Sequence, residues 1–81
     1  MNDLKALRKG RAMTREDLAL AASVSPAWLQ RLEAHTAALT PQVAERLAPY
    51  LGVSAEALLA IHAAGRERRR AELAALRAAG V

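Results

Sequence analysis

Ala27, Gln30 and Arg31 are a small residue, an amide and a guanidinium spaced so that a helix would carry all three on one side. Turning residues 26–33 at about 100° per residue puts Leu29 and Leu32 together on the other side, with Trp28 and Glu33 at the margins. Such a helix suits a major groove. An arginine can grip both acceptors of a guanine edge, a glutamine can bridge the acceptor and donor of an adenine, and an alanine permits close approach or touches a thymine methyl. Arg31 taken alone could equally be a solvated surface charge. Trp28 has two readings, a core residue beneath the first helix or an indole N–H donor to a backbone phosphate.

The elements that must hold these residues are marked by repeated punctuation, a residue able to cap followed by an early proline or acid and then apolar residues at helical spacing. Asn2 or Asp3 caps a first helix bearing Leu4 and Leu7 and ending near Gly10. Thr14 with Asp17 forms a capping-box variant that opens a second helix through Ala21 or Ala22. Ser25-Pro26 and Thr40-Pro41 open the third and fourth, and Ser54 the fifth. Gly52 ends the fourth helix, and Pro49, a few residues earlier, either kinks its last turn or stops it early. Gly65 separates the fifth helix from a helix-prone tail. The expected fold is all-α, a five-helix bundle over residues 1–64 followed by a basic helical tail over 65–81.

Eighty-one residues allow one domain with one modest core. There is no cysteine to form a disulfide or thiolate zinc site, no phenylalanine, and an abundance of alanine and leucine that favours helix over strand. The formal net charge is +4. Residues 1–64 carry seven basic and six acidic side chains, whereas residues 65–81 carry five and two, so most of the excess is in the tail. His35 and His62 stand without a metal-ligand or acid–base constellation, and no glycine-rich phosphate loop or nucleophile motif occurs. A non-enzyme with no cofactor and no metal is expected. The N-terminus lacks a secretion-signal pattern and no apolar run is long enough to cross a bilayer, so a cytoplasmic location with no membrane partner is expected.

Only Ala22-Ser23-Val24 joins the second helix to the third, a spacing that makes two short helices cross steeply as a helix-turn-helix. Around it stand Leu4-x-x-Leu7-Arg8, Met13-Thr14-Arg15-Glu16-Asp17-Leu18-Ala19, Val24-Ser25-x-x-Trp28-Leu29-x-x-Leu32-Glu33, Leu47-Ala48, and Leu51-Gly52-Val53-Ser54 with Leu58-Leu59. In order and spacing these resemble the lambda-repressor-like (Cro/CI, XRE) family of DNA-binding domains over about residues 4–59. The resemblance implies that Ala19 lets the two motif helices touch and that Arg8 pairs with Glu33. It implies that Thr14 and Arg15 hold a backbone phosphate and that Ala27, Trp28 and Arg31 face DNA. The chain departs from the family where many members have glycine, at Ser23 in the turn and at Ala34-His35 after the glutamate. A non-glycine residue in a left-handed turn costs about 1 kcal/mol, and Glu33–Leu39 reads as a possible extension of the third helix.

On a helical tail Arg66, Arg69 and Arg70 share a face, and Glu72 is placed to pair with Arg68 or Arg69. That tail reads as a solvated helix, as a set of phosphate contacts from the three arginines, or as a partner surface of Leu73, Leu76, alanines and Val81. Three functions follow. The first is a homodimeric transcriptional regulator, a repressor occupying an operator on double-stranded DNA. The second is an antitoxin that represses its own operon and binds a toxin protein, and the third is a helical interaction module that no longer binds DNA.

Overall fold

The computed structural model describes residues 3–80, so Asn2 as a cap and Val81 as part of the tail surface lie outside the described residues. Five helices follow in order: α1 (Leu4–Gly10), α2 (Arg15–Ala22), α3 (Pro26–Glu33), α4 (Pro41–Leu51) and α5 (Ala55–Gly80). No strand occurs among the described residues.

Each helix begins where a side-chain oxygen satisfies an orphan N–H of its first turn. Asp3 accepts from the Ala6 N–H at 2.8 Å. Thr14 and Asp17 exchange both bonds of a capping box, at 3.0 and 3.2 Å. Ser25 accepts from the Trp28 N–H, Thr40 from Val43 and Ser54 from Ala57. Pro26 and Pro41 sit in first turns, where a missing N–H costs nothing.

The helix ends need left-handed backbone, and it falls on Ala12, Ser23 and His35 as well as Gly52. Ser23, at φ 56° and ψ 44°, closes α2 and turns the chain into α3, as the missing glycine requires. His35, at φ 62°, stops α3 at Glu33. The extension of α3 toward Leu39 that the sequence permits does not form. Thr36 instead turns both its N–H and its hydroxyl back to the Arg31 carbonyl, at 2.9 and 3.1 Å, and Ala37 enters the core. Pro49 is exposed in the last turn of α4, and the helix continues past it to Leu51.

Leu4, Leu18, Leu29, Leu32, Leu47 and Leu58 are fully enclosed, each helix contributing at least one. Ala19, Ala22 and Ala44 fill the narrow spaces between helices, and Leu7, Met13, Val24 and Trp28 close the margins. α2 packs on α3 and α4, α4 on α5, and α1 lies across α3 and α5. Among the described residues no single helix is long and apolar enough to cross a membrane.

Gly65 does not separate two helices. α5 runs through it unbroken for 26 residues, about 39 Å at 1.5 Å per residue. The reason is tertiary: Gly65 is buried beneath the His35 ring, and a Cβ there would lie 2.5 Å from His35 Nε2. Its bare backbone makes room for a neighbour. Beyond Arg66 every described residue of α5 is exposed, and the molecule is accordingly elongated, 43 × 22 × 22 Å. The exposed part needs no nucleation of its own, since it grows from a docked helix and is made of good helix formers.

His62 secures that docking. Its Nε2 lies 2.8 Å from the Ala37 carbonyl, which can only accept, so Nε2 carries the proton of the neutral ring. Among the described residues Nδ1 is buried without a partner, and the ring stacks on His35 at 5.8 Å between centroids. Burial pushes the His62 pKa below the usual 6.5, outweighing the Ala37 carbonyl, and His35 and Arg66 push the same way. Below about pH 6.5 the unfolded chain therefore binds a proton that the folded chain resists, and stability falls as pH drops through that range. We expect wild-type protein to lose stability from pH 7 to 5, and His62→Gln, which can still donate to Ala37, to have a shallower dependence. Urea denaturation across that range measures both; equal slopes would remove His62 as the cause.

Candidate nucleic-acid interface

α3 is sharply divided between its two sides. Leu29 and Leu32 are enclosed, while Ala27, Gln30 and Arg31 are exposed. The side chains suited to base edges thus stand together on a helix whose other side is fixed in the core. Trp28 is half-buried at the margin, packed against the core, and the Arg31 guanidinium lies over its ring, 5.3 Å from the centroid.

Behind this face Glu33 is clamped. Arg8 Nε donates to one carboxylate oxygen at 2.6 Å and Arg8 Nη2 to the other at 3.1 Å, while Arg8 Nη1 donates to the Met13 carbonyl at 2.8 Å. The side chains of Arg8 and Glu33 are 8% and 2% exposed, so the pair is desolvated as well as bidentate. The Glu33 bond raises the Arg8 pKa further, against the effect of burial. It ties α1 to the end of α3.

Arg15 also reaches Glu33, through Nε at 3.4 Å, and remains 32% exposed. One carboxylate thus faces two guanidinium groups, and the partly exposed Arg15 is left at the edge of α3. Lys5, Arg15, Gln30, Glu33 and Ala34 line one shallow cleft, so Lys5 joins the cationic edge. Sequence reasoning missed Lys5. The available signal was its position one helical turn before Arg8, whose partner lies on α3. Thr14, exposed at the start of α2, uses its hydroxyl oxygen as a cap acceptor; its O–H is left to donate.

At the other end of α3, His35 and Thr36 form one wall of a groove whose far wall is α5, with Arg66, Arg69, Arg70 and Leu73. Arg66 is half-buried, whereas Arg69 and Arg70 are exposed. The local pair that forms is Arg70 with Glu67, not one to Glu72. The three arginines therefore gather beside the loop that follows α3, well apart in sequence from Arg15. Leu73 and Leu76, 48% and 67% exposed, lie farther along α5. Among the described residues no group of three or more His, Asp or Glu is placed to hold a metal ion.

Two short helices joined through a left-handed serine, the second buried on one side and polar on the other, define a helix-turn-helix protein. A family model described as a helix-turn-helix domain matches residues 3–71, and the chain belongs to that family. The match continues into α5 beyond Gly65. Neither the curated proteins nor the solved structures contain a significant match. Helix-turn-helix domains bind DNA and perform no catalysis, so the chain is a DNA-binding protein of the transcription-factor class and not an enzyme.

Proposed function

We propose that the chain is a sequence-specific transcriptional regulator of the lambda-repressor-like (Cro/CI, XRE) type, acting in the cytoplasm as a homodimeric repressor that occupies its operator. The observation that carries this reading is the division of α3, with Leu29 and Leu32 enclosed behind an exposed Ala27, Gln30 and Arg31. Those three residues read base edges. Thr14 and Arg15 at the start of α2, and Arg66, Arg69 and Arg70 on α5, hold phosphates on either side and set the register without reading sequence. Two copies related by a two-fold axis would place their α3 helices in successive major grooves, about 34 Å apart.

Selection of bound duplexes from a random pool, at a stated salt concentration, tests DNA binding and reports the half-site together. A palindromic pair of half-sites one turn apart supports the reading; failure to enrich any sequence counts against it. Within the selected site, Arg31→Ala is expected to cost about 1–3 kcal/mol and to relax preference at one base pair of each half-site. Titrations against the site and its single-base variants measure this. Equal losses on selected and random duplexes would make Arg31 a phosphate contact.

A second reading, an antitoxin that represses its own operon while binding a toxin protein, draws on the exposed Leu73 and Leu76 of α5. A neighbouring toxin-sized reading frame, with a second protein that co-purifies, would favour it.

A further inference from the structure

We infer that Trp28 is a positioning residue for Arg31, an aromatic platform that holds the guanidinium for base reading, in place of the phosphate contact that its margin position allowed. The inference rests on the reading of Arg31 as a base reader and adds a residue that sets how well it reads.

The argument begins with the cost of using an arginine. Its side chain carries about 2 kcal/mol of rotamer entropy, which an exposed, unrestrained arginine gives up on contact with a base. Arg31 is exposed, and among the described residues its guanidinium has no carboxylate or hydrogen-bond partner, so polar contacts do not restrain it. The indole does. Arg31 lies one turn after Trp28, on the same side of α3, with its Cζ 5.3 Å from the ring centroid. Trp28 is itself fixed, since it is half-buried, packed against the core, and bonded through its backbone N–H to Ser25 Oγ at 3.0 Å.

The attraction between a cation and an aromatic face uses the charge and leaves the guanidinium hydrogen-bonding valences unspent. Arg31 is thereby ordered without being neutralised, which an ion pair at the same place would not achieve. Ordering before contact lowers the cost of binding. It acts on the preferred base pair more than on others, because only there are two parallel bonds made. Trp28 thus contributes to specificity through Arg31.

The test uses the full-length protein, the half-site selected from random duplexes, and that site changed at the one base pair to which Arg31→Ala is sensitive. Trp28→Leu keeps an apolar side chain against the core and removes the aromatic face, whereas Trp28→Phe keeps a weaker one. Trp28→Leu is expected to lower affinity for the selected site about two- to fivefold while leaving the changed site nearly unaffected. Trp28→Phe should recover part of the loss. In an Arg31→Ala background Trp28→Leu should have no further effect. Equal losses on both sites, persisting in the Arg31→Ala background, would overturn the inference and return Trp28 to a phosphate or packing role. Arg31→Ala that itself fails to discriminate between the two sites would overturn the underlying reading instead, which keeps the two failures apart. Circular dichroism melting of each variant confirms folding. Trp28 is the sole tryptophan, so its fluorescence without DNA gives a further measure: Arg31→Ala should change the emission, and an unchanged spectrum would mean that the stack is not formed in solution.

Discussion

Glu33→Leu is expected to lower folding stability by about 3–5 kcal/mol, because it strands the buried Arg8 guanidinium without its carboxylate. The Met13 carbonyl would still accept one bond from Arg8 and Glu16 would still attract its charge, but the two bonds to Glu33 would be lost. In a domain of this size such a loss lowers Tm by roughly 10 °C or more. Arg8→Met should be nearly as costly, since it leaves the Glu33 carboxylate with only the longer Arg15 contact. The double variant Arg8→Met/Glu33→Leu is expected to regain much of the loss, because removing both charges also removes the cost of burying them. Urea denaturation of the three variants measures the coupling. If the single variants lose less than about 1 kcal/mol, the range of exposed ion pairs, the pair is not holding α1 to α3.

Truncation after Arg66 should have the largest effect on DNA binding and little effect on folding. The last buried residues of α5 are Leu58, His62 and Gly65, so the shortened chain keeps every enclosed leucine and the contact to the Ala37 carbonyl. It loses Arg69, Arg70, Leu73 and Leu76. If Leu73 and Leu76 join two copies, the second half-site no longer benefits from a tethered partner, and operator affinity should fall by about 10²-fold or more. Sedimentation and salt-dependent titration separate the contributions. A monomer that binds one half-site normally identifies a dimerisation segment. An intact dimer with a shallower salt dependence identifies phosphate contacts by the lost arginines. Unchanged association, affinity and salt dependence would exclude both, and a toxin or other protein would then be the better occupant of the exposed segment.

How much of this molecule was legible in its sequence depended on the range of the interaction concerned. Caps are local, and Thr14, Ser25, Thr40 and Ser54 sit where their hydroxyls predict. The enclosed leucines follow from helical periodicity, and the left-handed Ser23 from the shortness of the turn. The end of α3 was hidden because it depends on His35 turning left-handed and on Ala37 being drawn into the core, where His62 meets its carbonyl from 25 residues away. Gly65 misleads for the same reason. A glycine between two helix-prone stretches looks like a break unless the ring that needs its missing side chain can be seen. At the candidate interface the exposed set on α3 is readable from spacing, whereas the placement of Arg31 over Trp28 and the sharing of Glu33 between two arginines depend on tertiary packing that spacing does not encode.

Because α5 passes Gly65 without a break, the direction in which Leu73 and Leu76 point is geared to the orientation of α3. One residue inserted after Arg66 would turn the distal segment by about 100° and advance it about 1.5 Å, whereas seven would return it nearly to its original phase about 10 Å farther out. The helix acts as a shaft. Its length determines how far any partner stands from the DNA surface, and its angular phase determines which way that partner faces.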